Sequence, residues 1–123
     1  MNENELKKRT KQFGLRVIRL VESLPSGQTS QTIGNQLLRS GMSVGANYRA
    51  ACRGRSKADF IAKAAISPEE ADECLYWMEL LQEAGIVPAD KLKDLMKEAD
   101  ELVAIFTASI KTAKAHLNQK SSI

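Results

Sequence analysis

Apolar residues return at helical spacing four times along the chain, and glycine or proline stops each run. The first run is Leu6, Phe13, Val17, Leu20, Val21 and Leu24, halted by Pro25-Ser26-Gly27. The second stripe is Ile33, Leu37, Gly41, Val44, Tyr48 and Ala51 or Cys52; Thr29 or Ser30 is placed to cap it, and Gly54 ends it. Ser56 is placed to cap the third helix, with Asp59 three residues later facing the open amides of its first turn. Its buried stripe is Phe60, Ala64, Ala71, Leu75, Met78 and Leu81. Gly85-Ile86-Val87-Pro88 combines a stop with a start. After it, Leu92, Leu95, Met96, Ala99, Leu102, Val103, Phe106, Ile110, Ala113 and Leu117 make the most heptad-like pattern of the chain. The pattern predicts helices near residues 4–24, 30–53, 57–84 and 89–118.

Four helices with short connections predict an all-α fold, an antiparallel up-and-down four-helix bundle. Pro68 interrupts the third helix, because proline lacks a backbone donor and its ring crowds the carbonyl four residues back. Ser67-Pro68-Glu69-Glu70 also reads as a helix start, with Ser67 as cap. The periodicity resumes with a small phase shift, which favours one bent helix over two independent ones. A length of 123 residues suits a single domain, residues 1–123, that buries roughly two-thirds of its unfolded surface.

The second helix is rich in small residues, among them Gly34, Ser40, Gly41, Ser43, Gly45 and Ala46. Each glycine costs roughly 1 kcal/mol of helix propensity relative to alanine, so packing must compensate. Gly41 and Gly45 share a face that admits close approach by another helix, and Asn47 and Ser43 are placed to hydrogen-bond across such a contact. Two readings stay open: a tight crossing inside the bundle, or a helix lining a subunit interface.

Charge divides the chain. Residues 1–63 carry 12 Lys and Arg against 4 Asp and Glu, whereas residues 64–123 carry 6 against 11, so the net +3 conceals halves of +8 and −5. All the arginines lie in the first half. At roughly 100° per residue, Arg49 and Arg53 lie within about 40° of each other and Arg39 about 80° from Arg49. Arg55 and Lys57 extend this broad basic face, and Lys8, Arg9, Arg16 and Arg19 of the first helix add to it if the two helices are neighbours. Such a patch suits phosphate backbones through counterion release, without reading bases. The competing reading pairs these arginines with Glu69, Glu70, Asp72, Glu73, Glu79 or Glu83, within or between subunits.

Catalytic signatures are lacking. Gly41 and Gly45 are not followed by the Lys-Ser/Thr of a phosphate-binding loop, and the sole histidine, His116, partners no nucleophile. Cys52 and Cys74 fit no metal or redox spacing and read as buried thiols, and no Glu-x-x-His pair suggests a metal; neither metal nor cofactor is expected. No apolar run approaches the roughly 18 to 20 residues of a membrane span, and the N-terminus leads into a charged helix, so a cytoplasmic location without membrane contact is expected.

Certain segments carry a family resemblance. Leu24-Pro25, Gln36-Leu37-Leu38-Arg39-Ser40, the run from Ser43 to Ala50, the run from Arg55 to Lys63, Glu69 to Glu73, and Tyr76-Trp77 look like the four-helix bundle family of 23S rRNA intervening-sequence proteins. That family is similar in fold to the accessory variability determinant of diversity-generating retroelements, a basic barrel that binds nucleic acid and a reverse transcriptase. The resemblance implies a bacterial or archaeal bundle assembled as a homopentamer, with no known catalytic activity. Pro68 and the acidic second half depart from the family's pattern. The resulting expectation is a non-enzymatic homo-oligomer that binds RNA or another nucleic acid through Arg39, Arg49, Arg53 and Arg55, helped by Arg16 and Arg19. Gly41, Gly45, Asn47 and the exposed-looking aromatics Tyr48, Tyr76 and Trp77 are the expected subunit interface. The alternative is a protein-interaction scaffold, for example for a reverse transcriptase, whose arginines pair across subunit interfaces.

Overall fold

The computed structural model describes residues 1–121, which form α1 (Glu3–Glu22), α2 (Gln28–Cys52), α3 (Lys57–Ala64), α4 (Ile66–Glu83) and α5 (Ala89–Ser121). Among the described residues there is no strand. Only Ala65 separates α3 from α4, and its backbone keeps right-handed helical angles, so these two segments are one bent helix and the chain is four helical rods. The break falls one turn before Pro68. That displacement follows from proline chemistry, since the ring of residue 68 crowds the carbonyl of Ala64, four residues back.

Ser67 does not cap the second segment as its sequence context suggests. Its hydroxyl is fully buried and donates to the Val44 carbonyl of α2 at 2.9 Å, pinning the bend to the neighbouring helix. The start of α2 also differs from expectation. Neither Thr29 nor Ser30 caps it; the helix begins at Gln28 behind Gly27, whose φ of 138° turns the chain sharply after Pro25 in a region open chiefly to glycine. Elsewhere the local signals hold. Ser56 Oγ accepts from Asp59 N at 3.1 Å at the head of α3, and Gly85, with φ 73°, closes α4 before Pro88 and α5. Asn2 and Glu5 form a reciprocal capping box at the head of α1.

The apolar stripes meet in one core. Phe13 and Val17 of α1, Leu37 and Val44 of α2, Met78 and Leu81 of α4, and Leu92, Leu102 and Phe106 of α5 are all inaccessible to solvent. In α4 the buried phase runs through Ser67, Ala71, Cys74, Met78 and Leu81, so Cys74 takes the place expected for Leu75, which is only partly buried. The Cys74 thiol donates to Ser40 Oγ at 3.3 Å, and burial raises its pKa to about 12, which leaves it an inert core residue. Every buried side-chain polar atom among the described residues has a partner.

The small residues of α2 are used against α1. A methyl group at Gly41 would lie 2.6, 2.8 and 2.9 Å from Cγ1, Cγ2 and Cβ of Val17, and one at Gly45 would lie 3.2 Å from Thr10 Oγ1. One at Gly34 would meet Leu24 and Val21. The close crossing inside the chain, the first of the two readings open from sequence, accounts for these glycines.

Candidate functional site

The α1/α2 crossing leaves an open groove of about 580 Å³ between the two helices. Leu15, Ile18, Met42 and Ala46 line it, and Lys7, Lys8, Lys11, Arg49 and Arg53 bring five cations to it. No carboxylate lines the groove. Glycine makes this arrangement possible: with Gly45 against Thr10, the helices approach closely enough for the side chains of both to share one surface. Lys7 is engaged by Glu3 one turn earlier, at 3.1 Å, whereas Lys8, Lys11, Arg49 and Arg53 have no carboxylate partner among the described residues.

The predicted basic residues separate into two populations. Arg49 and Arg53 are exposed and belong to the groove. Arg16 is half-buried and Arg19 exposed on α1, and neither lines the groove; exposed Arg55 stands in the turn after α2, where its backbone N–H donates to Asp59 Oδ2 at 3.2 Å. Arg39 follows the ion-pair reading. Its guanidinium reaches Glu70 Oε2 at 3.2 Å and also binds Glu73, tying α2 to α4 away from the Arg49–Arg53 face. Arg9 makes the corresponding tie between α1 and α5, donating to both carboxylate oxygens of Glu98 at 2.7 Å and reaching Glu101 at 3.3 Å. Lys7 and Lys11 escaped the sequence reading. Their spacing with Gly14 and Ile18 marks one side of α1, the side that the glycines of α2 approach.

The expected interface residues also divide. Tyr48 is not an exposed aromatic: it is 5% accessible, with Phe60 of α3 and Phe106 of α5 packed edge-on at ring-centre distances of 6.5 and 5.3 Å. The bent third rod and α5 cover it, and burial pushes its phenol pKa upward. Gly41 is buried under Val17, and Asn47 spends its side-chain amide on the Ser43 carbonyl of its own helix, at 2.8 Å, instead of on a neighbour. Tyr76 is at the surface, whereas Trp77 is half-buried against the core. Tyr76 is 54% exposed and packs edge-on against Trp77, whose Nε1 donates to Glu73 at 3.2 Å.

A family model described as "23S rRNA-intervening sequence protein" matches residues 2–108, from the first turn of α1 into α5. The chain belongs to this family. The crystal structure of a protein of unknown function from the S23 ribosomal protein family of Bacteroides thetaiotaomicron is similar, with 33% identity and a TM-score of 0.80. The similarity covers 85% of this chain and 97% of that one. No curated protein matches the chain.

In this member of the intervening-sequence family, the Arg39–Glu73–Trp77 chain of contacts also sets a pH response. The Arg39 guanidinium holds the Glu73 carboxyl below its ordinary value of 4.5, and the Trp77 N–H adds to the effect. A depressed folded-state pKa stabilises the fold above the unfolded carboxyl's pKa, and the contribution fades as pH falls through the lowered value. The melting temperature of Arg39→Ala should therefore lie below wild type at neutral pH and converge with it as the pH drops below 4.5. A gap that persists undiminished in acid would mean that Arg39 acts by packing and not through Glu73. No cluster of three His, Cys, Asp or Glu among the described residues could hold a metal ion, and no helix is long and apolar enough to cross a membrane.

Proposed function

We propose that this chain is a non-enzymatic, homo-oligomeric, antiparallel four-helix bundle that binds structured RNA or another nucleic acid through the basic groove of α1 and α2. The observation that carries the reading is the convergence of Arg49 and Arg53 with Lys7, Lys8 and Lys11 on one open surface that no carboxylate lines. Cations spaced along two helices suit a phosphate backbone, which neutralises them and releases its counterions without presenting base edges. The antiparallel arrangement is supported by the α1/α2 contacts, where residues 10, 17 and 21 meet residues 45, 41 and 34 in turn. A pentameric assembly is the state proposed from family resemblance, and a cytoplasmic location is proposed from the charged first helix and the lack of a long apolar run.

Titrations of unrelated RNA sequences test the reading. Arg49→Ala and Arg53→Ala should each weaken binding about equally for every sequence, and each should flatten the log–log salt dependence by up to about one unit. Their oligomer mass should equal that of wild type if phosphate is the only partner of these arginines. A wild-type protein that binds no RNA at about 50 mM salt, where electrostatic attraction is least screened, would sink the nucleic-acid reading. One observation favours a second reading, a protein-interaction scaffold. Met42 and Leu15 on the groove's floor are 47% and 37% exposed, and apolar side chains of this kind fit a protein surface better than a sugar–phosphate chain.

A further inference from the structure

The exposed side of α4 mirrors the groove in charge. Glu69, Asp72, Tyr76, Glu79 and Glu83 recur every three or four residues, so they form one solvent-facing stripe with the tyrosine at its centre. All five are exposed, and none of the four acids is ion-paired among the described residues. Lys111 and Lys114 of α5 line one depression together with Glu69 and Asp72 and offset that end, leaving Tyr76, Glu79 and Glu83 as the net acidic part. The Trp77 ring supports Tyr76 from the side and is itself held by Glu73 and Arg39.

Spacing makes the two surfaces fit. Tyr76 and Glu83 are two helical turns apart, about 10.5 Å along the axis, and so are Met42 and Arg49. An α4 ridge laid in the groove would set Tyr76 on the apolar floor at Met42 and Leu15 while its two glutamates reach the cationic end. Tyrosine, tryptophan, methionine and arginine are the residues that enrich protein interfaces, and both surfaces offer them beside opposite charge.

We propose that the tyrosine-centred acidic face of α4 on one copy seats in the basic α1/α2 groove of a second copy, so that self-association and nucleic-acid binding compete for Arg49 and Arg53. The competition rests on the nucleic-acid function proposed above; the pairing of faces does not. Assembly then governs ligand access. A groove that holds a neighbour's α4 is covered, and RNA binds the grooves of the assembly that stand open or displaces α4 from the one it takes.

Charge reversal tests the pairing. Lys8→Glu, Arg49→Glu and Arg53→Glu together set three glutamates against Lys7 and Lys11 and turn the groove acidic like α4, and Glu79→Lys with Glu83→Lys makes both faces basic, so each variant alone should sediment as a smaller species than wild type. Mixed in equal amounts, the two should recover a larger complex, because each α4 then meets a groove of opposite charge. Unchanged mass in either variant alone, a monomeric wild type, or no recovery on mixing would overturn the pairing. Tyr76→Ser tests the competition without altering charge, with circular dichroism confirming the helical fold. It should shed assembly and bind a structured RNA more tightly than wild type, by about tenfold if one wild-type groove in ten is open. Loss of assembly with unchanged RNA affinity overturns the competition. Recovery on mixing, combined with RNA binding by no variant, upholds the pairing and defeats the nucleic-acid function alone.

Discussion

Placing leucine at Gly41 should destabilise the fold more than any other single change on the α1/α2 face. Even the first carbon of a new side chain would fall 2.6 to 2.9 Å from three atoms of Val17, a branched residue that is itself fully buried and without room to turn aside. The helices would have to part, and parting them uncovers Phe13, Val17, Leu37 and Val44 together. Overfilling a packed core costs about 1 to 3 kcal/mol, and leucine here belongs at or above the top of that range. Denaturant titration at equilibrium measures it. Val17→Ala in the Gly41→Ala background should restore part of the loss, a coupling that a double-mutant cycle isolates. Gly45→Ala should cost less, since its nearest neighbours, the Thr10 hydroxyl and backbone, lie at 3.2 and 3.3 Å. If Gly41→Leu melts within a degree or two of wild type, the close crossing does not exist in solution.

Helix positions were legible because each depends on short-range signals that agree with one another. Ser56 with Asp59, Gly85 with Pro88, and the stripe from Leu92 to Ala113 all state their roles within a few residues, and the structure follows them. What failed depended on neighbours far along the chain. Ala71, Met78 and Leu81 keep the expected phase after the bend and Cys74 completes it in place of Leu75, while Ser67, expected as a cap, instead finds the Val44 carbonyl far along the chain. Tyr48 was misjudged for the same reason. Its place in the apolar stripe of its own helix is local information, but what covers so large a ring is the bent third rod and α5, which bring Phe60 and Phe106 over it.

The site shows the same division between local and distant information. The basic character of α1 and α2 is written in composition, yet composition does not distinguish Arg39, which finds Glu70 and Glu73 across the bundle, from Arg49 and Arg53, which face an open groove. Ten residues separate Arg39 from Arg49, and a rotation of about 80° between them is enough to bring one over α4 and the other over α1. Lys7 and Lys11 join the groove because Gly41 and Gly45 fix which side of α1 faces α2. The small residues that weaken α2 as an isolated helix thus position the cations of two helices on one surface.

Removing the Phe106 ring should produce a loss of comparable size at the other side of the core. Phe106 is fully buried in α5 and lies edge-on to Tyr48 at 5.3 Å, so it joins the fourth rod to the part of α2 that carries Arg49 and Arg53. Truncating a buried phenylalanine to alanine costs about 3 to 5 kcal/mol, through lost burial and the cavity left behind. Domains of this size have about 5 to 15 kcal/mol in total, so Phe106→Ala should take a large fraction of it. Phe106→Leu keeps most of the volume and should cost under about 1.5 kcal/mol. Urea titrations of both variants give the two values directly, and amide exchange should show the added loss of protection in Phe106→Ala extending into the last turns of α2. A cost for Phe106→Ala no greater than for Phe106→Leu would mean that the Tyr48–Phe106 contact does not hold that end of α2, and that the groove is positioned by the glycine crossing alone.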